Sequence, residues 1–127
     1  MGRRTVIEVP GVHHHAPIPM AAMVGNILYS SAIMGMDPAT GEVPPHEGRQ
    51  VELVFQHVRT VLEQAGLGPS DVVYCGVLVV HDEVKEPVNR SWEEMFPNAN
   101  DRPARHTTVM PLPSGLAVQM QIVAVAP

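Results

Sequence analysis

Two segments of this 127-residue chain leave little choice of architecture. VVYCGVLVV (Val72 to Val80) and AVQMQIVAVA (Ala117 to Ala126) are apolar at nearly every position. As strands they turn apolar side chains to both faces of a sheet, and both faces need cover. Two other segments carry the helical period. Val51, Val54, Phe55, Val58, Val61, Leu62 and Ala65 form one stripe, ended by Gly66 and Gly68. Val84, Val88, Trp92, Met95 and Phe96 form a second, with Asp82 as N-cap, Pro87 in the first turn and Pro97 as the stop. Two helices cover one face of such a sheet. The other face calls for a second copy of the chain, so the pattern predicts an oligomer with ligand clefts between subunits.

The remaining strands are expected at Thr5 to Val9, Ala21 to Val24, Ile27 to Ile33 and His106 to Met110, with Gly25-Asn26 as a two-residue hairpin turn. MDPATGEVPPHEG, Met36 to Gly48, is dense in Pro and Gly and reads as an exposed loop, where Asp37 is turn chemistry. The expectation is one α+β domain spanning residues 1–127, with a mixed sheet and both helices on one face.

Composition removes several functions. A formal net charge of -5 with few aromatic residues argues against a nucleic-acid partner. No run approaches the roughly 18 apolar residues of a membrane span, and no signal peptide is read near Arg3 and Arg4. The single cysteine, Cys75, lies inside a strand and is expected to be a buried small hydrophobe rather than a catalytic thiol. The expected setting is the cytoplasm.

The order and spacing of VGNILYSS, MDPATGE, VLEQAGL, SDVVYCGVLVV, VNRSWEEMF, RPARHTT and LPSGLAVQMQIVAVA resemble the RidA/YjgF family of enamine/imine deaminases, from about Ala16 to the C-terminus. The resemblance implies a chorismate mutase-like fold, a homotrimer with a pocket at each subunit interface, and hydrolysis of a small carboxylate-bearing 2-imino or 2-amino-unsaturated acid without a cofactor. An aminomuconate-type substrate is one version. The arginine of the family's R-P-A-R motif is Arg105 here, and it is the implied carboxylate anchor. Guanidinium is planar and permanently charged, so it pairs with a carboxylate through two parallel hydrogen bonds. The plain structural alternative is a salt bridge on a strand edge. Thr107 shares a strand face with Arg105 and can line the same pocket, whereas His106 points the other way.

Several positions depart from the family pattern. Gln119 stands where deaminating members carry a water-activating glutamate, and its amide holds water without accepting a proton. Ile18 replaces a pocket tyrosine, Ala32 (after Ser31) a glycine, Trp92 a tyrosine and His57 an asparagine. The change to PIPMA suggests a more apolar cleft. Trp92 reads chiefly as core at its helical spacing, with pocket contact as the alternative. His13, His14 and His15 have no family counterpart; metal binding is not expected of them, and His14 or His15 is a candidate for the missing base. A rival reading keeps Arg105 as a carboxylate anchor in a non-catalytic binding or regulatory trimer.

Overall fold

In the computed structural model, which describes residues 2–127, burial alternates along the last strand, β7 (Val118–Val125). Val118, Met120, Ile122 and Ala124 are buried, while Gln119, Gln121, Val123 and Val125 turn to the opposite face. Around β7 lie β1 (Arg4–Ile7), β2 (Ala21–Val24), β3 (Ile27–Ser30), β4 (Ile33–Met34), β5 (Val72–Val79) and β6 (Ala104–Val109). Their order is β1-β2-β3-β7-β5-β6, and β4 pairs with β7 beyond the end of β3. β5 and β6 run parallel and the other pairs antiparallel, so the sheet is mixed.

Helix α1 (Glu47–Gln64) links β4 to β5, and α2 (Lys85–Met95) makes the crossover between the parallel pair. Both cover the face formed by Ile122, Met120, Cys75 and Val77, as the sequence pattern requires. The other face carries exposed Val6, Ile27, Tyr29, Tyr74 and Val125, with Tyr29 62% exposed. Tyr74 and Val125 of this surface come from the two largely apolar runs, the others from β1 and β3. No described helix is long and apolar enough to cross a membrane.

The element ends show where local chemistry overrode the apolar pattern. Helix α1 starts four residues before its stripe, because the His46 side chain accepts a hydrogen bond from the Arg49 N–H at 3.0 Å and caps it. It ends as expected, with Gly66 at φ +74 and the Leu67 N–H donating to the Leu62 carbonyl. Asp82 does not cap α2. It opens a 3₁₀ turn, Asp82–Val84, and its carboxylate pairs with Lys85 Nζ at 2.9 Å. The strand expected from Ile27 to Ile33 is interrupted after Ser30, whose hydroxyl takes the Ile122 N–H and so replaces a backbone ladder bond.

Two buried polar side chains tie α1 to its surroundings. Gln50 donates through Nε2 to the Pro44 and Gly115 carbonyls and accepts from the Ala117 N–H, all at 2.9 Å. Gly35 lets this contact close: a Cβ there would stand 2.7 Å from the Gln50 Cα. His57, 1% exposed, donates from Nε2 to the Met36 carbonyl at 2.6 Å. Burial lowers its pKa from the ordinary 6.5, outweighing the stabilising Met36 bond. As pH falls through 6.5 the unfolded chain takes up a proton that the folded chain still refuses, so stability declines with falling pH. The melting temperature is therefore expected to drop between about pH 7.5 and 5.5, and to drop less in His57→Asn. Equal drops in both proteins assign the acid sensitivity to another group.

Candidate functional site

The far edge of the sheet, on the helix side, holds a cation with no counter-ion. Arg105 lies on β6 in register with Cys75 of β5, which faces Ile122 of β7, and all three point toward the helices. Its Nη2 donates to Asn89 Oδ1 at 2.6 Å, and its guanidinium carbon sits 4.8 Å from the centre of the Trp92 ring. Trp92 in turn meets Phe96 edge-on, with ring centres 4.8 Å apart, and is 8% exposed. Trp92 is thus both core and the platform on which the guanidinium lies.

No carboxylate lies within ion-pair distance of Arg105 among the described residues, which removes the salt-bridge alternative. Arg105 Nη1 is buried without a hydrogen-bond partner, and so is Thr107 Oγ1, two residues along the same face. Burial works against the arginine's charge and lowers its pKa. A half-buried guanidinium with a free N–H, on the same strand face as a free hydroxyl, suits an anion with two oxygens. Cys75 next to it is inert: burial pushes its thiol up to about 12.

Gln119 is elsewhere. It sits opposite Leu78 of β5 and Met34 of β4, on the face turned away from the helices. With Ala32, Tyr74, His106, Thr108 and Gln121 it lines a hollow of about 210 Å³. The chain therefore does not bring Arg105 and Gln119 together. Arg105, Thr107 and Trp92 form one cluster, Gln119 and Ala32 a second, and a sheet separates them.

Ser31 adjoins the second cluster. Its N–H donates to the Met20 carbonyl and its hydroxyl to the Pro19 carbonyl, both at 2.8 Å, so the PIPMA segment is strapped to the turn that carries Ala32. Ile18 is 47% exposed and lies outside the hollow. His15 is exposed. His14 has a buried, unpartnered Nε2, and burial lowers its pKa against the raising effect of Glu8, which favours the neutral ring. Neither histidine lines the hollow beside Gln119. Among the described residues no group of three His, Cys, Asp or Glu side chains is placed to hold a metal.

A larger concavity, about 770 Å³ between Val73, Phe96, Asp101 and Arg102, contains neither cluster and no unpartnered buried polar atom among the described residues. Size alone does not mark the site. Two residues of these clusters are not singled out by the sequence pattern. Asn89 sits three residues before Trp92, one turn away on the same helix face, and that spacing was the available signal. His106 was set aside because it opposes Arg105; that it shares a face with Gln119 depends on strand register.

Residues 13–126 match the family model described as Endoribonuclease L-PSP. A RutC family protein of Aquifex aeolicus is 31% identical over 116 residues, covering 87% of this chain and 93% of the relative. A 2-iminobutanoate/2-iminopropanoate deaminase of Escherichia coli is 30% identical over 111 residues, covering 86% and 87%. Among solved structures, a protein of unknown function of the conserved Rid family from Yersinia pestis, YyfA, superposes with a TM-score of 0.87 at 26% identity, covering 97% of this chain and 99% of that one.

Proposed function

This chain belongs to the RidA/YjgF family, and from that membership we propose that it is an imine/enamine deaminase acting on a small 2-imino or 2-amino-unsaturated acid. The observation that carries the reading is the uncompensated guanidinium of Arg105 with its unpartnered Nη1, and the unpartnered Thr107 hydroxyl two residues along the same strand face. Both atoms gain a partner when a substrate carboxylate enters. A buried donor left unpaired costs about 1–3 kcal/mol, which such a ligand restores.

The reaction adds water to a protonated imine carbon and expels ammonia, leaving a 2-oxo acid. It needs an anchored substrate, a held water and a route for protons, and no cofactor. Arg105 and Thr107 anchor the carboxylate, Trp92 and Asn89 fix the guanidinium, and Gln119 orients the water from the second cluster. Because the two clusters face opposite sides of one sheet, the complete site is assembled from two copies. We take the assembly to be a homotrimer with the exposed apolar face covered. The relative's name points to short 2-imino acids and lends no support to an aminomuconate-type substrate. Ribonuclease chemistry is left out of the proposal, because the net charge is -5 and aromatic residues make up 4% of the chain.

The rival reading, a trimer that binds a small acid without turnover, is favoured by Gln119, which has no basic site near neutral pH. A coupled assay separates the two. An amino-acid oxidase generates imino acids in place, and semicarbazide traps those that survive. The wild type is expected to speed imine loss, and Gln119→Glu to change its rate by less than about tenfold. A silent wild type with an active Gln119→Glu makes the protein a disabled scaffold, and the binding reading then replaces this one.

A further inference from the structure

Hydrolysing an imine requires a proton to leave the attacking water and another to reach the departing nitrogen. Gln119 does neither, since an amide oxygen accepts hydrogen bonds but not protons near neutrality. The hollow around it contains one group suited to the task. His106 lines it from β6, while Gln119 lines it from β7. Between those strands runs β5, where Gly76 pairs with His106 on one side and Gln121 on the other. Glycine puts no side chain into the gap. The Tyr74 ring leans over it instead, 3.4 Å from where a Cβ would be. Gln119 lies two residues from Gln121 on β7, opposite Leu78, and both it and His106 line the hollow with the Tyr74 ring over Gly76. Tyr74 is the other titratable residue of the lining, which carries no carboxylate.

We propose that His106 is the proton-transfer group for a water molecule held by Gln119 in this hollow. The inference rests on the deaminase reading. Water attacks the iminium carbon, the C–O bond forms, and the C=N π pair moves to nitrogen. His106 takes the proton released by the water and returns it to that nitrogen. The C–N bond then breaks, its electron pair leaving with ammonia, as His106 takes the hydroxyl proton and the carbonyl forms. The proton returns to ammonia, so iminium and water become 2-oxo acid and ammonium with the imidazole regenerated.

The test compares wild type, Arg105→Ala, His106→Gln and His106→Gly on imino acids made in place, with uncatalysed decay subtracted. His106 is exposed, so these variants are expected to fold, and circular dichroism checks it. His106→Gln is expected to lower kcat about 10²-fold with KM unchanged, the modest end for acid–base catalysis because protonated imines hydrolyse readily. It is also expected to lose the acidic limb of the wild-type pH profile, and added imidazole to restore turnover in His106→Gly. If His106→Gln keeps both rate and limb while Arg105→Ala is inactive, the deaminase reading stands and the role of His106 falls. A rate loss with the limb intact and no rescue shows a structural role and also overturns it. A wild type inactive on every imino acid removes both.

Discussion

Arg105→Ala is expected to lower kcat/KM for a short 2-imino acid by roughly 10²–10³-fold, the usual cost of deleting one partner of a buried, hydrogen-bonded charge pair. The loss is chemical rather than structural. Among the described residues Arg105 has no carboxylate partner, so its removal strands no opposite charge. It takes away a guanidinium that burial already disfavours and leaves Asn89 Oδ1 on an exposed helix flank. The melting temperature should therefore stay near that of the wild type. Arg105→Lys is expected to recover only a small part of the activity, because an ammonium keeps the charge but loses both the planar fork and the stacking on Trp92. Semicarbazide trapping measures both variants. Activity within about threefold of wild type in Arg105→Ala would remove the anchor from the mechanism.

Gln50→Ala should produce the largest stability loss on a residue with no part in the chemistry. Three backbone groups depend on this side chain: the carbonyls of Pro44 and Gly115 and the N–H of Ala117. They belong to the loop before α1 and to the loop leading into β7, so one amide locks both to the helix. Gln50 is 1% exposed, and water does not readily take its place. Removing it is expected to cost about 3 kcal/mol, a fall of roughly 10–15 °C in melting temperature for a domain of this size. Calorimetry at fixed protein concentration checks it, since any assembly would make the midpoint concentration-dependent. A fall of less than about 3 °C means that solvent satisfies the three groups.

The layers of this fold were legible because hydrophobicity reports burial directly. The largely apolar runs of β5 and β7 announced the central strands of the sheet, and two amphipathic stripes announced the single layer of helices. The ends of the elements were less legible, because short-range polar bonds set them. His46 caps α1 from outside its stripe, and the Ser30 hydroxyl breaks a strand that continues in composition. At the site, the parity of a strand correctly put Arg105 with Thr107 and against His106. Parity within a strand says nothing about parity between strands, however. That Gln119 shares the face of His106 rather than of Arg105 follows from the pairing of Gly76 with His106 on one side and Gln121 on the other. The unpartnered atoms of Arg105 and Thr107 exist only in three dimensions.

The placement of Arg105 and Gln119 on opposite faces has a genetic corollary. When each cleft takes its anchor from one copy and its water from another, a damaged anchor and a damaged water-holder are lesions of different halves. On the proposed assembly, co-expressed chains carrying one lesion each are expected to build some clefts from two sound halves, so the pair should recover activity that each alone has lost. A chain carrying both lesions has nothing to lend. In a mixed population it would also withdraw sound halves from its neighbours, so such an allele is expected to depress activity by more than its own share of the protein.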